Sequence, residues 1–495
     1  MVLTGGLMAK LVATRAFGRM NFPSFSRQIY GEQLSCLPGA GSEGKSTNML
    51  SVLANRTYRH LLSAQVIALI GTGLATVALG LLAFDIAGGN AGAVLGTALA
   101  IKMVAYIGVA PVVGAFADRL PRRAFLVAMD LVRAAVALNL PFVDQIWQIY
   151  VLIFVLQSAS AAFTPTFQAT IPDVLPDEGD YTRALSLSRL AYDMESLVSP
   201  ILAAALLSVI SFHWLFAGTS VGFISSALLV VSVTLPRSPA KPRPGGIWTK
   251  TTRGLRIYLK TPRLKGLLAL SLASAAASSM VIVNTVVIVR GGLGFGQREV
   301  ALTLAAYGFG SMLAALFIPR LLDKVSDRTL MLSAAALLTT GLAAMALLTA
   351  IFGKGAGYWP LLLAGWFVLG IAYSMSVTPS GRLLRRSANA DDRPAVFAAQ
   401  FALSHGCWLI CYPLAGQIGA VLGQVAAFTV LALVAGIGTV AALWLWPSHE
   451  PESLAHSHDD LPPDHVHLRE HHSLGQSTAH AFVIDDIHPD WPRTA

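Results

Sequence analysis

The sequence predicts an all-α membrane protein whose twelve transmembrane helices form two six-helix pseudo-repeat halves. Three observations predict it. Of the 495 residues 55% are hydrophobic and 12% charged, where soluble domains carry about a quarter charged residues, and mean hydropathy is +0.63. Apolar runs of about 20 residues, the length a helix needs to cross bilayer hydrocarbon, recur along the chain. A polar, basic stretch from Pro236 to Pro262 interrupts them after the sixth run.

Residues 1–51 show no sustained period and read as a disordered extension, with Met49 an alternative start to Met1. Within it, Gly39-Ala-Gly-Ser-Glu-Gly44-Lys45-Ser46 matches the phosphate-loop pattern. Such a loop needs a strand before it, a helix after it and a nucleotide-binding sheet. Pro38 precedes the match and a membrane span follows closely, so nucleotide binding is set aside and no cofactor is expected. No signal-peptide pattern is read, and the first span itself directs insertion. Three cysteines, Cys36, Cys407 and Cys411, give no disulfide framework.

The spans are expected near 60–84, 93–115, 122–143, 146–168, 183–210 and 213–235, then 263–289, 297–319, 328–352, 357–379, 394–421 and 424–446. The two bundles are thus 52–235 and 263–446, joined by a cytoplasmic linker at 236–262. Cationic loops stay on the cytoplasmic side. Arginine and lysine cluster in alternate loops and in the linker, while the intervening loops hold Arg290, Arg298 and Lys354. Both termini are therefore expected in the cytoplasm. The net charge of +9 is a topology signal beside anionic lipid, not a nucleic-acid footprint.

Gly114-Ala-Phe-Ala-Asp118-Arg119-Leu-Pro121-Arg122-Arg123 lies between the second and third spans. It resembles the signature loop of the major facilitator superfamily of secondary transporters, with Pro121 where that loop usually has glycine. A worn copy, Asp323-Lys324-Val-Ser-Asp327-Arg328, stands about 205 residues later in the equivalent loop of the second half. Repeated halves with a site at their interface are the architecture this resemblance implies. It also implies a gating role for Gly114, Asp118, Arg119, Arg122 and Arg123, with Asp130 and Arg133 of the third span bracing the loop.

Ionisable residues inside spans are costly and mark pathways by default. The candidates are Lys102, Arg189, Asp193, Glu195 and His405, with Cys407 and Cys411 one helical turn apart. Arg189 and Asp193 share a face and read either as a structural pair or as part of the pathway. Glu195 points away from Arg189 and is the favoured proton or cation site. Cys407 and Cys411 read as packing residues, or as soft metal ligands with His405.

Residues 447–495 hold nine of the twelve histidines and read as a disordered, cytoplasmic, metal-binding tail. Its metal ligands would be His456, His458, His465, His467, His471 and His472. His467-Leu-Arg-Glu470-His471 matches an inverted zinc-peptidase motif, but that segment has almost no apolar residues with which to pack a rigid site, and no enzyme is expected. Gly71-Thr-Gly73-Leu-Ala-Thr-Val-Ala-Leu resembles the drug- and siderophore-exporting branch of the superfamily. Phe163-Thr-Pro-Thr-Phe-Gln-Ala-Thr-Ile-Pro172, Ala184-Leu-Ser-Leu-Ser-Arg189-Leu-Ala-Tyr-Asp193 and the tail together resemble bacterial nickel-resistance exporters. That resemblance implies a monomer in the bacterial inner membrane exporting Ni²⁺, with Co²⁺ second, in exchange for protons. The alternatives are an exporter of an organic molecule such as a siderophore or drug, and a transporter-like metal sensor.

Overall fold

The computed structural model describes residues 49–116, 121–235, 247–353, 355, 357–389, 392–448, 454–457, 477–480 and 482–491. The phosphate-loop match, Asp118, Arg119, His458, His465, His467, His471 and His472 lie outside them. The described first half comprises α1 (Arg56–Ala87), α2 (Ala91–Phe116), α3 (Arg122–Asn139), α4 (Ile146–Val174), α5 (Glu178–Leu207) and α6 (Phe212–Val231). A linker helix follows, α7 (Ile247–Lys260). The second half comprises α8 (Pro262–Val286), α9 (Gln297–Leu322), α10 (Asp327–Phe352), α11 (Tyr358–Val377), the short α12 (Ser380–Arg386), α13 (Arg393–Val421) and α14 (Gln424–Leu445). Among the described residues ten segments are long and apolar enough to cross a membrane; the first, Arg56–Ala110, runs through both α1 and α2, whereas α5, where the expected span 183–210 falls, is not among the ten.

Side-chain caps set several helix starts, each satisfying a backbone N–H that lacks an intrahelical partner. Asn55 accepts from the Tyr58 amide at 3.0 Å, Asp177 from that of Asp180 at 2.9 Å, and Ser326 from that of Thr329 at 3.2 Å. The Tyr58 hydroxyl then donates to the Ala184 carbonyl at 2.9 Å, tying α1 to the start of α5.

Packing repeats from one half to the other. In the first, α1 lies against α5 and α6, α2 against α4, and α3 against α4 and α6. In the second, α8 lies against α13 and α14, α9 against α11, and α10 against α11 and α14. The halves meet along two equivalent seams, α2 with α13 and α5 with α9. Small residues let membrane helices approach closely, and the α2–α13 seam depends on this. A methyl group at Gly96 would lie 2.5 Å from the Tyr412 carbonyl oxygen, and one at Gly416 would collide with the Gly92 carbonyl.

The repeat also carries a matched pair of ion bridges with opposite polarity. At the start of α3, Arg122 pairs with Asp173 near the end of α4. At the start of α10, buried Asp327 accepts from Arg382 of α12, just past α11, at 2.6 Å and 3.0 Å.

The tail departs from the expected disorder over its described residues. Leu454–Ser457 (β1) pairs antiparallel with Ser477–His480 (β2). Residues 482–491 fold back onto the bundle because Phe482 and Ile484 find apolar cover there, at 6% and 2% exposure.

Candidate functional site

Lys102, Glu195 and His405 each sit about midway along a helix that forms part of a seam: α2, α5 and α13. A helix rises 1.5 Å per residue, so each of the three lies roughly 15–25 Å from either end of its helix. Each is nonetheless half-buried, not sealed. The Glu195 carboxylate and the His405 ring both lie within Coulombic range of the Lys102 ammonium. Sequence spacing implies an acid without its own basic partner. The fold supplies Lys102 from another helix.

Aromatic rings frame this group. The Lys102 ammonium is 5.9 Å from the centroid of Tyr106, one turn along α2. Tyr106 stacks on His405 across the seam, with centroids 5.6 Å apart and planes 14° apart, and Phe401 lies 3.9 Å from the same imidazole. His405 Nδ1 is 2.7 Å from the Phe401 carbonyl. A carbonyl can only accept, so Nδ1 carries the hydrogen and neutral His405 keeps the Nε2 lone pair for a proton or a donor group. On α5, the Glu195 side chain and Ser199 lie against Gly73 of α1, where any larger residue would displace Ser199.

The second half adds a tyrosine cluster that the sequence reading missed. The Tyr307 and Ser278 hydroxyls are 2.7 Å apart, the rings of Tyr307 and Tyr373 are 5.9 Å apart, and Trp408 lies 5.0 Å from Tyr412. An uncharged residue within a span carries no charge signal, which is why these went unnoticed.

Other expected site residues are placed elsewhere. Asp130 and Arg133 pair with one another, and Ser226 donates to Asp130 at 2.8 Å. The Arg133 guanidinium lies between the rings of Phe163 and Phe223, at 4.3 Å and 4.6 Å. This buried knot joins α3, α4 and α6 within the first half. The described partners of the signature-loop arginines are instead Asp173 for Arg122 and the Val231 carbonyl for Arg123. Gly114 lies near the end of α2. Arg189 and Asp193 lie on α5, and their side chains fall outside the described set. Cys407 and Cys411 are both buried, free thiols. Among the described residues no group of three His, Cys, Asp or Glu side chains is placed to hold a metal ion.

At the face remote from the linker, the halves are bridged. Arg290, in the π-helical turn after α8, pairs with Asp85 at the end of α1 at 2.5 Å, and its guanidinium lies 4.7 Å from the Phe84 ring.

Two pseudo-symmetric six-helix bundles with charged groups at their mid-membrane seam define a secondary membrane transporter. The chain belongs to the Major Facilitator Superfamily, whose sequence profile matches residues 61–351 and 267–477. It is 25% identical over 302 residues to the uncharacterised MFS-type transporter YfiS of Bacillus subtilis (strain 168), covering 58% of this chain and 69% of that one. It is 26% identical over 153 residues to macrolide efflux protein A of Streptococcus pyogenes, covering 29% of this chain and 38% of that one. Among solved structures it resembles the D-xylose-proton symporter with a TM-score of 0.57 at 16% identity, over 82% of this chain and 98% of that one. The nucleoside transporter NupG gives 0.59 at 13% identity, over 79% and 98%. At these identities the structural likeness concerns the fold.

Proposed function

We propose that this protein exports an organic, amphipathic molecule in exchange for protons, by alternating access. The observation that carries the reading is the seam itself: one carboxylate, one ammonium and one imidazole amid the rings of Tyr106 and Phe401. An aromatic wall with a few polar groups suits an organic ligand. A divalent metal ion requires converging neutral or anionic ligands, and a neighbouring ammonium opposes it. The macrolide efflux relative agrees with the direction and the substrate class.

In this mechanism Glu195 binds substrate while ionised. Protonation from the outer side releases the substrate, and loss of that proton to the cytoplasm restores the Lys102–Glu195 interaction for the next cycle. Asp118 and the loop arginines hold the cytoplasmic gate, while Asp85 and Arg290 hold the outer one. The resemblance to nickel-resistance exporters and the histidine-rich tail favour a second reading, export of Ni²⁺ with the tail gathering the ion.

A tolerance screen in a sensitive bacterium separates the two. The intact protein should protect against macrolides or related amphipathic compounds, with or without residues 447–495, and not against nickel. Glu195→Gln, which mimics the protonated acid, should abolish both proton-driven efflux and substrate exchange across vesicles, with the residual substrate affinity low and independent of pH. Protection confined to nickel, and lost with the tail, would overturn the organic reading.

A further inference from the structure

The described end of the chain, residues 482–491, is a folded strap laid over the linker helix. It has its own small core: the Phe482 ring packs edge-on against Trp491 at 5.1 Å and His488 at 4.8 Å. Asp485 Oδ1 accepts from the amides of Ile487 and His488 at 2.9 Å and 2.7 Å, and from the His488 ring at 2.9 Å. Around this core the strap directs carboxylates at basic groups. Arg253 of α7 donates to both oxygens of Asp486 at 2.9 Å and 3.0 Å. Lys260 pairs with Asp490 at 2.5 Å and donates to the Pro489 carbonyl at 2.9 Å. Arg263, at the start of α8, lies 5.4 Å from the Trp491 ring, and Asn389 donates to Asp485 at 3.2 Å. The strap thus joins the linker helix to the second half.

The helix beneath has the makeup of a membrane-surface segment. It runs through Thr261 directly into α8, and a methyl group at its Gly254 would collide with the Ala395 carbonyl at the start of α13. It therefore lies against the bundle at the bilayer edge. Leu255 and Leu259, one turn apart, are exposed at 37% and 43%, with exposed Arg256 between them. Exposed leucines beside arginine and lysine are how an amphipathic helix engages anionic lipid. The groups that would meet headgroup phosphates next to this face are Arg253 and Lys260: the strap holds Lys260 and shares Arg253 with Asp392, just before α13, which accepts from the Arg253 Nε at 2.6 Å and from one terminal nitrogen at 3.0 Å. Asp486 and Asp490 are 81% and 75% exposed, so water and lipid headgroups can reach both pairs.

We propose that anionic phospholipid headgroups compete with the strap for Arg253 and Lys260, making the strap a displaceable internal clip on the linker. Phosphate and carboxylate are interchangeable partners for guanidinium and ammonium, and exposed ion pairs exchange readily. In a bilayer poor in anionic lipid the strap clips onto the linker helix, adding to the direct Arg253–Asp392 pair that ties this helix to the second half. Anionic lipid draws the helix face down and sets the strap free.

The test is hydrogen exchange of the 482–491 peptide in the full-length protein, reconstituted in phosphatidylcholine alone or enriched in phosphatidylglycerol. Protection is expected in the first, and exchange about fivefold faster in the second, the size of effect two exposed ion pairs can exert. The double variant Asp486→Asn, Asp490→Asn should exchange fast in both, with peptide 262–286 unchanged to show an intact fold. Arg256→Gln should keep the protection in phosphatidylcholine and blunt the response to phosphatidylglycerol. Exchange indifferent to phosphatidylglycerol, or a double variant as protected as wild type, would overturn the proposal. So would soluble glycerol phosphate speeding exchange as much as the bilayer does, since ionic competition alone would then suffice.

Discussion

Single residues divide this protein's intramembrane charge into two kinds. Asp130 and Arg133 are neighbours on one helix, buried together and further satisfied by Ser226 and two phenyl rings. Breaking a buried pair by neutralising one partner costs about 3–5 kcal/mol, because the other charge is stranded. Asp130→Asn should therefore lower the thermal unfolding midpoint of the detergent-solubilised protein markedly, while folded molecules keep their substrate affinity. Lys102, Glu195 and His405 come from three helices and stay half-buried, so their neutral variants should do the reverse. A binding isotherm beside a melting curve distinguishes the two kinds. Each of these residues was legible in the sequence as a charge where charge is expensive. Which of them pair was not, because spacing along one helix is visible and meetings across a seam are not.

At the scale of elements, the spans were legible because an apolar run must match the bilayer thickness whatever its neighbours. The linker helix α7 was less so: its lysines and arginines read as a charged connection, although they recur at helical spacing. The strap was hidden by its surroundings, since Phe482, Ile484 and Trp491, which anchor it, follow a long polar, histidine-rich stretch. Burial opposes ionisation of Asp485, yet the His488 hydrogen bonds and charge outweigh it and hold the carboxyl at about 2. A folded value below the ordinary carboxylate value means the strap's folded state gains stability above about pH 4. That gain is lost as pH falls through about 2. Limited pepsin digestion, which works in this range, should spare the Phe482 region near pH 4 and cut it near pH 2. The α2–α13 seam makes a separate demand. Gly416→Val should part these helices, raising labelling of cysteines introduced at the remote face.

For the whole molecule, the halves pack by the same scheme and touch along equivalent seams, with the remote face bridged by Asp85 and Arg290. That bridge is partly exposed, at 37% and 23%, so it contributes no more than about 1 kcal/mol. Asp85→Asn should shift the conformational populations toward opening at that face by roughly fivefold. Spin-label distances between the ends of α1 and α8 should lengthen accordingly.

The inverted ion bridges give the two halves unequal grips. A helix N-terminus carries a partial positive charge. Asp327 at the head of α10 is welcomed by it, whereas Arg122 at the head of α3 is repelled, and Asp173 sits against the negative end of α4. One clasp is thus reinforced by its own backbone and the other strained by it. Of the two clasps, the one between α3 and α4 is therefore the easier to break.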